Sequence, residues 1–102
     1  MADLDRTDWT LVRSFLAVAD SGSLSGAARM LHVSQPTLGR QIRQMETTLG
    51  VSLFVRQPRG FDLTDAGQSI LPAAKRMQEA MNEIALTVAG QDAQTTVSVR
   101  IT

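Results

Sequence analysis

The chain has 102 residues, 43% of them hydrophobic, no cysteine, and a formal net charge of zero at pH 7. That balance excludes wholesale disorder, disulfides, thiolate metal sites and cysteine nucleophiles. No stretch reaches the roughly 18 continuous apolar residues of a spanning helix, and the acidic start "MADLDRTD" is not a signal peptide. We therefore read the protein as cytoplasmic.

The first element opens at "DWTLVRSFLAVADSGS". Asp8 is a good N-cap, and Trp9, Val12, Leu16 and Ala19, with Leu11, Phe15 and Val18 beside them, form a broad helical stripe. The helix should stop at Asp20-Ser21-Gly22, with Gly22 in a left-handed position. Trp9, the only tryptophan, is expected in the core. A second, short helix follows behind Ser23, with Leu24, Ala27, Ala28 and Leu31 on one face. Its small residues let another helix approach closely. His32, at its end, would favour the helix dipole as a cation; a lone histidine without cysteine or a second histidine is structural, not a metal ligand.

After a short gap, a third helix is predicted from Ser34 or Gln35 to Leu49, closed by Gly50. Leu38, Ile42, Met45 and Leu49 form its buried face, and Gln35, Thr37, Arg40, Gln41, Arg43 and Gln44 the opposite one. Pro36 falls in the first turn, where its missing N–H is not needed and its fixed φ suits the helix. Two helices joined by a tight turn, the second with an exposed Gln/Thr/Arg face, are the sequence form of a helix-turn-helix. In "VSLFVRQPRGFDLT", Leu53, Val55, Phe61 and Leu63 alternate around a Pro/Gly turn, which predicts a hairpin with an arginine tip. A hairpin there makes a wing.

From Thr64 a long helix should run to Ala89, closed by Gly90. Ile70, Ala74, Met77, Met81, Ile84 and Val88 follow one another at alternating steps of four and three, a heptad seam. The seam predicts pairing with a second subunit, although packing on its own domain would give the same spacing. Pro72 should kink or loosen the helix. The polar tail ends in alternating Val97, Val99 and Ile101, which looks like a linker and one strand. A strand alone is not stable, so the natural chain is expected to continue. The fold class expected is mainly α: a winged helix-turn-helix, three helices and a two-stranded hairpin, over residues 1–63. A linker or dimerisation helix follows over 64–90, then a hinge and the first strand of a missing domain over 91–102.

The neutral total hides a pattern. Residues 34–60 carry Arg40, Arg43, Arg56 and Arg59 against Glu46 alone, while residues 1–33 carry three Arg against four Asp. A basic island between acidic flanks suits a polyanion. A helix-turn-helix directs the start of its second helix into the major groove. That start offers Ser34, Gln35, Pro36, Thr37 and Gly39 to the bases. Glutamine can pair with adenine, and proline or the threonine methyl can pack on a thymine methyl. Arg40 and Arg43 lie beyond the inserted edge and suit phosphates. Ser23 and Leu24 can turn a backbone amide to a phosphate. Arg59, with Gly60, would reach a narrow minor groove; Arg56 would either assist it or be held by a local acid.

The run "FLAVADSGSLSGAARMLHVSQPTLGRQIRQMETTLGVSLFVRQPRGFDLTDAG" resembles the N-terminal DNA-binding domain of LysR-type bacterial transcriptional regulators. The markers include Ala27-Ala28, Ser34-Gln35-Pro36, Arg40-Gln41-Ile42, Glu46, Leu49-Gly50, Leu53-Phe54, Leu63-Thr64 and Ala66-Gly67, in order and without gaps over about residues 8–90. The resemblance implies base contacts at Gln35 and Pro36 and a phosphate contact at Arg40. It also implies a linker helix paired antiparallel in a homodimer, and a double-stranded operator with dyad symmetry. A C-terminal domain would bind a small-molecule effector, often within a tetramer; no cofactor and no membrane partner are expected for this chain. Gly39 departs from the family, which usually has serine there. That departure predicts altered reading at one base position. Two other readings compete: another winged-helix regulator, such as a molybdate-responsive one, or a winged helix used for protein assembly. One histidine, no cysteine and no clustered carboxylates argue against an enzyme.

Overall fold

The structure, a computed structural model, describes residues 8–101, with side chains described for 8–90. Local chemistry sets the helix ends. In α1 (Trp9–Ser21) the Asp8 carboxylate accepts from the Leu11 N–H at 3.1 Å, and Gly22 closes the helix at φ 75. In α2 (Leu24–Leu31) the Ser23 hydroxyl accepts from the Gly26 N–H at 3.0 Å. His32 ends it at φ 58, the only non-glycine residue with positive φ among the described residues. Its N–H closes on the Ala28 and Arg29 carbonyls, so its place is a cap position, which histidine tolerates better than most side chains. α3 (Gln35–Leu49) is capped by Ser34, has Pro36 in its first turn, and ends at Gly50, φ 75.

Strands β1 (Phe54–Gln57) and β2 (Gly60–Leu63) pair antiparallel, with Phe54 opposite Leu63 and Arg56 opposite Phe61. This register corrects the alternation read from the sequence. Phe54 is the buried residue of β1, while Val55 is exposed; Leu53 is fully buried just before the strand. Strands this short leave the parity open, and the partner face decides it. Here Phe54 packs on Phe15 of α1, ring centroids 5.4 Å apart, and Phe61 continues the cluster at 6.0 Å.

α1 is the centre of the core. It packs against α2, α3, α4 and β2, and Phe15 and Val18 are fully buried between them. Leu38, Ile42 and Met45 close the core from α3, with Leu49 half-buried at its edge. Gln41, placed on the open face from its spacing, is instead half-buried, and its carbonyl accepts a hydrogen bond from buried Ser14 of α1.

α4 (Asp65–Ile101) starts behind Thr64, whose hydroxyl accepts from the Gly67 N–H at 3.0 Å and donates to the Ser52 carbonyl at 2.6 Å. The helix runs through Pro72 and on through Gly90 to Ile101. The expected stop at Gly90 and strand from Val97 are thereby corrected. Glycine permits a left-handed stop without compelling one, and a strand needs an edge to pair with; the two described strands pair with each other. Thr102, and the side chains after Gly90, lie outside the described residues. Among those described, no helix is long and apolar enough to cross a membrane, and no cluster of His, Asp and Glu could hold a metal ion.

Candidate nucleic-acid interface

The buried stripe of α3 fixes which of its side chains face outward. With Leu38, Ile42 and Met45 in the core, Gln35, Pro36, Arg40 and Arg43 are exposed and Gly39 is partly so. The Ser34 and Thr37 hydroxyls are used within the helix itself. Ser34 Oγ accepts from the Thr37 N–H at 3.2 Å and bonds Thr37 Oγ1 at 2.9 Å, and Arg40 Nη2 donates to the same Oγ1 at 3.4 Å. These two residues, expected at the bases, are cap and support in this structure.

The outward residues of α3 share one surface with α2 and the wing. A depression bounded by Leu24, Gln35, Pro36, Gly39, Arg40 and Arg43 adjoins a second one. The second is lined by Ser23, Leu24, Gln35, Arg56, Pro58 and Gly60, among others. Leu24 and Gln35 belong to both, so the surface is continuous from α3 across the start of α2 to the hairpin. Arg59 stands at the hairpin tip beside a shallow hollow that reaches Ser21 and Gly22. The residues expected to touch a polyanion are thus brought together. Ser23 contributes differently from the expectation: its N–H donates to Ser21 Oγ at 3.3 Å, which leaves the first amides of α2 itself as the free donors of that end.

The wing is held in place by contacts the sequence does not display. Gly60 lies at φ 146, and a Cβ there would overlap the Gly22 carbonyl oxygen; next to it the Phe61 N–H donates to that same oxygen at 2.9 Å. From the other side, Glu46 of α3 accepts from the Leu53 N–H at 2.8 Å and the Phe54 N–H at 3.4 Å through one carboxylate oxygen. The only acid of the basic island is therefore turned to the wing base, and Arg40, Arg43, Arg56 and Arg59 remain exposed. The Arg56 guanidinium lies 5.3 Å above the Phe61 ring, a cation–π contact within the hairpin.

The heptad seam of α4 divides. Ala74 is buried and Ile70 half-buried against the domain's own core, whereas Met77, Met81, Ile84 and Val88 are 38–57% exposed. The first two positions were expected at a subunit interface; α1 covers them here, because four-and-three spacing fits any facing helix. A separate cleft of about 400 Å³ lies between α1, α2 and α4, lined by Arg13, Asp20, Met30, Leu71, Lys75 and Glu79 among others. Its charges are mixed, and none of the residues expected to meet a polyanion lines it.

Helix, tight turn, helix, and a hairpin anchored beside the second helix together define a winged helix-turn-helix protein. A sequence profile for the bacterial regulatory helix-turn-helix proteins of the lysR family matches residues 9–68, and the chain belongs to that family. The HTH-type transcriptional regulator ClcR of Pseudomonas putida is 50% identical over 66 residues, which is 65% of this chain and 22% of that protein. The CbnR_DBD-DNA complex superposes with a TM-score of 0.73 at 37% identity, covering 82% of this chain and 97% of that one. The BenM_DBD/catB site 1 DNA complex does so with a TM-score of 0.76 at 28% identity, covering 81% and 93%. The chain spans about a quarter of the length of the curated relatives it matches. Those relatives are named as transcriptional regulators.

Proposed function

We propose that the chain is the DNA-binding part of a LysR-type transcriptional regulator, binding double-stranded DNA sequence-specifically as a homodimer. In this reading α3 enters the major groove and the hairpin the adjacent minor groove. The observation that carries it is the continuous surface from α3 to the wing, lined by three exposed arginines, Arg40, Arg43 and Arg56, and by no carboxylate. The similarity to CbnR and BenM domains solved with DNA supports it.

In this reading each exposed residue has a role. Gln35 and Pro36, exposed in the first turn of α3, meet base edges, adenine and a thymine methyl being the matching chemistry. Arg40 grips a phosphate and fixes register. The amides opening α2, at Leu24, face another phosphate. Arg59 reaches the minor groove, with Arg56 and Gly60 at its base. Ser34 and Thr37 hold the start of α3. Met77, Met81, Ile84 and Val88 pair with the same helix of a second copy, antiparallel, which calls for an operator with dyad symmetry. A C-terminal domain takes a small-molecule effector, the whole regulator assembles further into tetramers, and it works in the cytoplasm.

Selection from random duplexes at two salt concentrations tests this reading. The expected result is an interrupted palindrome bound less tightly as salt rises. Arg40→Ala should weaken all sequences evenly and flatten the salt slope by about one unit. Gln35→Ala should remove about 1–3 kcal/mol of discrimination at one base pair. Duplex binding that ignores salt, or no binding, would sink the reading in favour of a protein-assembly module. Met81→Asp should give monomers in sedimentation with the domain's melting temperature unchanged.

A further inference from the structure

We propose that Arg43 reads a base edge in the major groove, guanine by its chemistry, and that Gly39 is the gap that allows it. The proposal rests on the DNA-binding reading above and deepens it by naming one base contact. It replaces the phosphate role that position alone suggested for Arg43.

Gln35, Gly39 and Arg43 are successive i, i+4 neighbours, so they stand in one row along α3. Long side chains on a helix lean toward its N-terminus, over the residue one turn earlier. Arg43 does so: its Nη1 lies 3.7 Å from the point a Cβ of residue 39 would occupy. Apart from the sequence neighbours and the helix's own backbone, nothing else comes within 4 Å of that point. The guanidinium therefore rests over bare backbone, in the depression bounded by Leu24, Gln35, Pro36 and Arg40. It is aimed toward the half of α3 that a major groove receives, not toward the helix's far end.

The residues lining that depression include no carboxylate, so the guanidinium keeps its donors for a ligand. Its planar fork matches the O6 and N7 acceptors of guanine in a bidentate pair. Residue 39 has no side chain to stand between the fork and the base. A side chain longer than alanine there has a rotamer that extends past the Cβ point toward the place the guanidinium occupies.

The test is selection from random duplexes with the 102-residue chain and its Arg43→Gln and Gly39→Ser variants, at two salt concentrations, with folding checked by circular dichroism. The unaltered chain should prefer guanine at one position of each half-site by about 5- to 150-fold, the discrimination of one bidentate pair. Arg43→Gln should move that preference to adenine or abolish it and leave the other positions alone. Gly39→Ser should weaken the preference at the same position. If Arg43→Gln weakens every sequence evenly and keeps guanine, Arg43 is a phosphate contact and the proposal fails. It also fails if Gly39→Ser changes a position that Arg43→Gln does not. An unaltered chain without salt-dependent duplex binding would overturn the DNA-binding reading itself, and this inference with it.

Discussion

Gly60 at the wing and Gly39 in α3 both put the most flexible residue where regular structure is wanted, and for opposite reasons. Gly60 sits at φ 146 with the Gly22 carbonyl oxygen in the space a Cβ would take. Gly39 has ordinary helical geometry and open space in front of it, with only Arg43 Nη1 nearby. One glycine is required by the protein's own backbone. The other is not, and costs the helix about 1 kcal/mol against alanine. A residue that weakens its element with nothing in the fold to require it marks a surface shaped for something else. The open glycine lies in the middle of the arginine-bearing face, and the crowded one ties the wing to the α1–α2 corner.

The largest expected effect breaks the crowded side of that comparison. Gly60→Ala forces a positive φ on an L-residue and a Cβ into the Gly22 carbonyl. We expect a loss of about 3 kcal/mol in urea unfolding, from backbone strain and overlap together. Unchanged stability would mean the wing is not held at Gly22. Phe61 and Arg56 should move with the wing, so DNA affinity should fall as well.

A smaller effect is expected at the other anchor. Glu46→Ala leaves the Leu53 and Phe54 amides without their carboxylate acceptor, at a cost of about 1–3 kcal/mol. Because Glu46 lies on the wing side of α3, base preference at the Gln35 end should be unaltered in a selection experiment. A changed preference there would show that wing and recognition surface are not separable as the two glycines suggest.

What was legible in the sequence was local. Asp8 and Ser23 cap the helices they were expected to cap, and Gly22 and Gly50 close theirs, because cap chemistry acts within one turn. The exposed row of α3 followed from the spacing of Leu38, Ile42 and Met45. What stayed hidden depends on partners distant in the chain. Gln41 looked outward until Ser14, 27 residues earlier, took its carbonyl. Ile70 and Ala74 read as subunit interface because a heptad step does not say which helix it faces. The parity of β1 needed Phe15, and the constraint on Gly60 needed the Gly22 carbonyl. Glu46 was visible as part of a family pattern, but its two amide bonds across the α3–β1 turn were not. In the site, the hydroxyls of Ser34 and Thr37 looked free for bases because their mutual bond is a matter of rotamer, not of sequence.

The smallest expected effect has the opposite sign and tests the open side. Gly39→Ala adds a methyl group in ordinary contact distance, 3.7 Å, of Arg43 Nη1 and meets nothing else outside its own helix. The helix should gain up to about 1 kcal/mol, a rise in Tm of roughly 4–8 °C for a domain of this size. Arg43 need not move, so the base preference should stay close to that of the unaltered chain even though the variant is more stable. Gly60→Ala and Gly39→Ala then shift stability in opposite directions for the same chemical change. If Gly39→Ala instead lowered the Tm, the space over α3 would be filled by the protein itself, and the contrast between a glycine kept for the fold and one kept for a ligand would collapse.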